Sequence, residues 1–231
     1  MGRITFVGGM VGDTLDGVTH RGMSALQQAE SIIFPGNWVG EHLLSFFGNR
    51  LIHGRDLTPD QVLEAFSRVE SGVVLYAGDP RVFTGRPNHF PSAAELAKLL
   101  EANQHHVDWL PGLSFVQLAM NAAGISLEVN GEDALIVPPA LLDCERSRNE
   151  FQQHAIANAI LVMLWAEDAG AEAWAILKDA RSSETPVFIV SRLGMSGEQV
   201  LEGKLRDLES SFAKIAMPAT IIVQPCVKRH R

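Results

Sequence analysis

Three observations predict an α/β fold in two domains. In its first half the chain alternates strand-like and helix-like segments, the order that builds a parallel sheet. One of those strands, Val73-Val74-Leu75-Tyr76-Ala77, is apolar throughout and breaks on Gly78-Asp79-Pro80, as a buried central strand does where it meets a loop. Glycine and proline turns also gather at strand ends, at residues 8–13, 35–36, 78–85 and 111–114. In an α/β sheet that is where ligands bind.

The elements follow in order. Ile4-Thr5-Phe6-Val7 is a β-rich run that opens into Gly8-Gly9-Met10-Val11-Gly12-Asp13. Residues 19–29 carry Met23, Leu26 and Ala29 at helical spacing, and Ser31-Ile32-Ile33-Phe34 reads as a second strand. Residues 38–47 form a short helix. Thr58-Pro59-Asp60-Gln61 starts another, with a capping Thr, Pro at the first position and Gln where a capping box needs it; it is expected to reach Glu70. Ser92 and Glu95 cap a helix running to Ala102, and Val107-Asp108-Trp109-Leu110 is a strand stopped by Pro111-Gly112. Residues 114–123 place Phe115, Leu118, Ala119 and Ala122 on one helical face, with Gly124 as the stop. Beyond it, strands are expected at 134–137, 160–165, 187–191 and 220–223, helices at 147–157 and 169–180, and a further strand within 195–205. The Pro111-Gly112 break divides the chain into domains 1–111 and 112–231.

Composition narrows the function. The 231 residues are 46% hydrophobic and 20% charged, with a net charge of −8. That balance disfavours a nucleic-acid surface, which needs clustered Lys and Arg; Lys228-Arg229-His230-Arg231 reads as a solvated tail. Cys144 and Cys226 have no metal-ligand spacing, and His105-His106 point to opposite sides of a strand. No metal is expected. With neither a signal-like segment nor an apolar run of membrane-spanning length, the expectation is a cytoplasmic protein with no membrane partner.

Several chemistries lack their residues. No loop ends in Gly-Lys-Ser or Gly-Lys-Thr, and Gly194-Met195-Ser196-Gly197 has the wrong spacing for a nucleophile elbow. Gly8, Met10 and Asp13 fall on the dinucleotide fingerprint, so two of its three glycines are missing. What remains is a set of backbone-rich turns with apolar neighbours such as Phe83 and Leu113, suited to a small amphipathic cofactor.

Taken together, these turns resemble the tetrapyrrole methylase family, which methylates porphyrin and corrin precursors with S-adenosylmethionine. Val7-Gly8-Gly9-Met10-Val11-Gly12-Asp13 with Val18-Thr19-His20-Arg21-Gly22 follows its first motif, with Val11 and Thr14 where the family has Pro. Gly78-Asp79-Pro80 with Phe83 and Gly85 matches its most specific loop. Pro111-Gly112-Leu113-Ser114, then Ala122-Ala123-Gly124-Ile125-Ser126-Leu127, matches the next segment. Residues 161–165, 186–203 and 218–223 fit its later strands, with Trp165 where many relatives carry a cofactor-contacting Met. Within the family, Val116-Gln117-Leu118-Ala119 and residues 192–200 look most like the cobalamin-pathway precorrin methyltransferases, the precorrin-6 type first and the precorrin-4 type second.

The resemblance implies two α/β domains, a homodimer, a tetrapyrrole substrate and S-adenosylmethionine in the cleft between domains. It implies cofactor contacts at Gly8, Gly78, Asp79, Pro80, Phe83, Leu113, Ser114, Trp165, Leu193 and Gly194. Arg81 and Arg86 flank the Gly-Asp-Pro loop as candidates for substrate carboxylates. Asp13 and Asp79 are the candidate catalytic residues: Asp13 to orient substrate or close the first loop, Asp79 to cap its turn or hydrogen-bond the ligand. Alternatives are a binder without transferase activity, a methylase of another acceptor and a dinucleotide enzyme.

Overall fold

The computed structural model describes residues 2–12, 14–36, 41–82, 90–126, 133–137, 142, 144–164, 170–212, 214, 216 and 218–225. The chain divides into two units, Met1–Ser114 and Phe115–Arg231.

The first unit is built on five parallel strands, β1 (Arg3–Met10), β2 (Ser31–Phe34), β3 (Leu51–His53), β4 (Ser71–Ala77) and β5 (His106–Leu110), in the order β3-β2-β4-β1-β5. Side chains alternate between its faces, and each face carries its own core. On one, Phe6, Ile33, Val74 and Tyr76 pack with Val62 and Phe66 of α3 (Pro59–Phe66) and Leu96 and Leu100 of α4 (Ala93–Ala102). On the other, Val7, Ile32, Phe34, Val73 and Leu75 pack with Leu26 of α1 (His20–Gln28) and Leu43 and Phe47 of α2 (Glu41–Phe47). Burial on both sides explains why these strands are apolar without alternation.

Thr58 and Ser92 form the expected capping boxes with Gln61 and Glu95. Helix α3 stops at Phe66, short of the expected Glu70. The Ser67 hydroxyl donates to the Glu64 carbonyl, and the amides of Glu70 and Ser71 both donate to the Glu30 carboxylate, at 2.9 and 3.1 Å. These bonds turn the chain out of the helix and into β4. Strand β3 was not anticipated: three residues at a sheet edge carry too little pattern.

The second unit has a mixed sheet of β6 (Ala134–Val137), β7 (Ile160–Met163), β8 (Pro186–Ser191), β9 (Gln199–Lys204) and β10 (Ala219–Val223), in the order β6-β7-β10-β8-β9. Only the β6–β7 pair is parallel; β10 runs antiparallel to both its neighbours, and β9 to β8. Helices α6 (Glu145–Ile156), α7 (Gly170–Ala180) and α8 (Glu209–Phe212) cover one face through Phe151, Trp174 and Phe212. Helix α5 (Phe115–Ala122) buries Val116, Ala119 and Met120, not the expected Phe115, Leu118 and Ala122. The helix is apolar nearly all round, so spacing alone selects the wrong stripe.

The buried Arg181 fastens this sheet. Its Nε donates to the Ala155 carbonyl at 2.7 Å, its Nη1 to Gln224 at 2.7 Å, and its Nη2 to Ala157 and Ala159 at 2.8 and 3.1 Å. One guanidinium thus ties the end of α6 and the entry of β7 to the exit of β10.

Candidate functional site

In the first unit, α1 and α2 follow β1 and β2 on one face, and α3 and α4 follow β3 and β4 on the other. The chain therefore leaves the hydrogen-bonded neighbours β1 and β4 toward opposite faces. Such a reversal opens a crevice at the carboxyl ends of the two strands, the preferred ligand position in open α/β sheets. Both glycine loops singled out by sequence start there.

Strand β1 bulges as it arrives. Its register with β4 shifts between Val7 and Met10, and Gly9 takes φ +108. The Gly9 amide donates to the Gly78 carbonyl at 2.6 Å, and the Gly78 amide returns a bond to the Met10 carbonyl at 3.0 Å. Gly78 itself sits at φ +73, a conformation open to glycine and costly for most residues.

From Gly78 the chain crosses over β1 toward β5. A Cβ on Gly8 would stand 2.6 Å from Pro80 Cδ and 2.7 Å from the Gly78 carbonyl oxygen. The Asp79 carboxylate accepts the Arg81 amide on Oδ1 at 2.7 Å and the Gly112 amide on Oδ2 at 3.3 Å. Gly112 is as tightly held, since a Cβ there would lie 2.1 Å from the Gly8 carbonyl carbon. The Leu113 amide donates to the Gly17 carbonyl at 3.1 Å, and Val18 forms a bridge with Gly112. The turns after β1, β4 and β5 thus make one interlocked layer of backbone.

Beside it, Arg81 lays its guanidinium 3.7 Å from the centre of the Trp109 ring. Trp109 stacks on Phe6 at 4.5 Å, and Phe6 on Tyr76 at 5.9 Å, a row crossing β5, β1 and β4. Val82 and Leu113 expose apolar side chains at the ends of β4 and β5, 45% and 43% accessible, while Ser114 is buried. Tyr76 is buried too, which pushes its phenol well above the ordinary value, and its hydroxyl has no hydrogen-bond partner.

The structure thus brings together Gly8, Gly78, Asp79, Pro80 and Arg81, with Leu113 and Ser114 following directly on Gly112. Leu193 and Gly194 belong to the second unit, in the turn between β8 and β9. There Arg192 and Gly194 adopt φ +54 and +70, and the Gly194 amide donates to the Glu198 carboxylate at 2.8 Å. A small hollow lies beside them, lined by Phe115, Val190, Leu193, Pro218, Ala219 and Thr220. Asp13, Phe83, Arg86 and Trp165 lie outside the described residues. Sequence reasoning placed Gly112 in one of the ligand-side turns without giving it a role of its own, and missed Trp109 as a site residue. Glycine after the β5 proline was a signal for the first; the second depends on register, which no local pattern carries.

No group of acidic, His or Cys side chains suited to a metal ion occurs among the described residues. An amphipathic organic group does fit: amide-rich turns held at positive φ, flanked by exposed aliphatic side chains, offer hydrogen bonds and apolar contact together.

Residues 3–209 match the family of Tetrapyrrole (Corrin/Porphyrin) Methylases. The chain belongs to this family. Siroheme synthase from Zymomonas mobilis subsp. mobilis is 26% identical over 237 residues, which is 96% of this chain and 48% of that protein. The chain thus spans about half the length of the siroheme synthases it matches. Among solved structures, a cobalt precorrin-4 methyltransferase of cobalamin biosynthesis superposes with TM-score 0.82 at 16% identity, covering 96% of this chain and 94% of the other. Uroporphyrin-III C-methyl transferase from Thermus thermophilus, complexed with S-adenosyl homocysteine, superposes with TM-score 0.74 at 19% identity, covering 96% and 92%. The family uses S-adenosylmethionine, and both structural neighbours are methyltransferases, one of them holding S-adenosyl homocysteine.

Proposed function

We propose that this protein is an S-adenosylmethionine-dependent C-methyltransferase acting on a tetrapyrrole, specifically a precorrin of cobalamin synthesis. The observation that carries the reading is the Gly78-Asp79-Pro80 loop, pinned across β1 where the chain leaves the neighbouring strands β1 and β4 toward opposite faces. Family membership and the fold of the cobalt precorrin-4 enzyme support it.

S-adenosylmethionine supplies an electrophilic methyl group on a sulfonium sulfur. The chain's own part is proximity and orientation, which account for a large share of such a barrier. In this reading the amides around Gly8 and Gly78 meet polar ligand atoms, and Leu113 and Val82 meet apolar ones. Ser114, Pro80, Phe83, Trp165, Leu193 and Gly194 complete the contacts. Asp79 acts by holding the loop, because both its oxygens already accept backbone amides. Asp13 stands in this reading as the residue that orients substrate or closes the first loop, and Arg86 as a partner for substrate carboxylates. The reading includes a cytoplasmic homodimer; no helix among the described residues is long and apolar enough to cross a membrane.

Calorimetry with S-adenosylmethionine, S-adenosylhomocysteine and NAD tests the cofactor. The expected result is binding of the first two, with S-adenosylhomocysteine at a hundred times its Kd stabilising the fold by about 2.7 kcal/mol. Tighter binding of NAD would overturn the assignment. The similarity to siroheme synthases, together with the fold shared with uroporphyrin-III C-methyl transferase, supports a second acceptor, uroporphyrinogen III. Methyl-transfer assays run in parallel on that compound and on precorrins decide between them.

A further inference from the structure

We propose that Arg81, stacked on Trp109, is the specificity-determining anchor for a carboxylate arm of the tetrapyrrole. This rests on the tetrapyrrole reading above and deepens it. Two independent features hold the side chain. The Asp79 carboxylate accepts the Arg81 amide and fixes where it leaves the loop. The indole of Trp109, itself packed on Phe6, supports the guanidinium from below at 3.7 Å. A guanidinium so stacked keeps the N–H groups of its edge free, and that edge matches a carboxylate in bidentate geometry.

Arg81 is exposed and has no carboxylate within ion-pairing distance among the described residues. Six of the other described cations are ion-paired: Arg3 to Asp108, Arg146 to Glu150, Arg148 to Glu172, Lys178 to Glu209, and Lys204 and Arg206 to Glu184. An arginine left open beside a ligand crevice differs from these. The whole-chain charge gives it a task. At net −8 the protein repels a polycarboxylate as it approaches, so binding one calls for a fixed local cation, and Arg81 supplies it at the crevice rim. Rigidity adds selectivity, because a preorganised fork loses less side-chain freedom on binding than a free lysine does.

The test uses the full chain and uroporphyrin III, a polycarboxylate tetrapyrrole, with binding followed by tryptophan quenching across a salt series. S-adenosylhomocysteine binding is measured separately by calorimetry. For Arg81→Gln the expected result is a loss of uroporphyrin III affinity on the order of tenfold, with a shallower salt dependence and unchanged S-adenosylhomocysteine affinity. Trp109→Leu should weaken the same ligand with the cation still present, and Trp109→Phe should restore it. Equal uroporphyrin III affinity in wild type and Arg81→Gln overturns the proposal while leaving the methylase reading intact. Equal losses for both ligands also overturn it, since Arg81 would then only shape the loop. A wild type that binds S-adenosylhomocysteine and no tetrapyrrole removes the substrate reading, and this anchor with it.

Discussion

Gly112 shows how closely the strand-end turns depend on single residues. An added Cβ would meet the Gly8 carbonyl carbon at 2.1 Å and the Gly9 nitrogen at 2.2 Å, both backbone atoms that no rotamer change can move aside. At Gly8 one of the two close neighbours is the Pro80 ring, which has some freedom to shift. Gly8→Ala is expected to cost about 1–3 kcal/mol, the usual range for overpacking, and Gly112→Ala more than that. Urea midpoints measure the difference, and S-adenosylhomocysteine affinity should fall in both variants. Tyr76 permits a second test, because it is the chain's single tyrosine. Burial raises its phenol pKa in the folded state. Its contribution to stability is therefore full below the free phenol value of about 10 and is lost as pH climbs toward the folded value. Tyrosinate absorbance should appear together with unfolding and not before it. Tyr76→Phe should remove this part of the alkaline loss. At neutral pH it should cost nothing, because the hydroxyl it deletes has no partner.

At the scale of elements, helix starts were the most legible feature. Thr58 with Gln61 and Ser92 with Glu95 declare themselves because a capping box is a contact between residues three apart. Thr58→Ala should cost about 1 kcal/mol by thermal or urea unfolding. For the second box the measurement is pH-dependent: hydrogen bonds from Ser92 hold the Glu95 carboxyl below its ordinary range. That contribution is present above the unfolded carboxylate value and lost as pH falls through the folded one. The stability gap between wild type and Ser92→Ala should accordingly narrow in acid. Less legible were features set by distant residues. The Glu30 carboxylate that helps end α3 is some forty residues from the amides it binds, Glu70 and Ser71. The buried strands β8 and β10 are apolar on both faces, so their antiparallel pairing left no mark in their composition. Of the candidate site, the glycine loops could be read because unusual φ values demand glycine. The Arg81–Trp109 stack could not, because it depends on the placing of β5 beside β1.

On the scale of the whole molecule, the two units are held by different means. The first packs a core on each face of a parallel sheet, so every strand-to-strand link carries a helix across. The second relies on Arg181, which answers four carbonyls from two separate stretches of chain. Arg181→Met would leave those acceptors unsatisfied, and a loss of about 3 kcal/mol is expected. Unfolding followed through Trp174, in the second core, should register it most directly. The position of β10 has a consequence for synthesis. It lies between β7 and β8 yet follows β9 in the chain. During translation the β6–β7 pair and the β8–β9 hairpin emerge first, each with an open hydrogen-bonding edge that β10 alone can close. Until residues 219–223 leave the ribosome, the nascent unit presents two unpaired apolar edges, the state most prone to pair with another chain. A ribosome stalled before Ala219 would therefore release a product that aggregates, and chaperone demand during synthesis should peak over that interval.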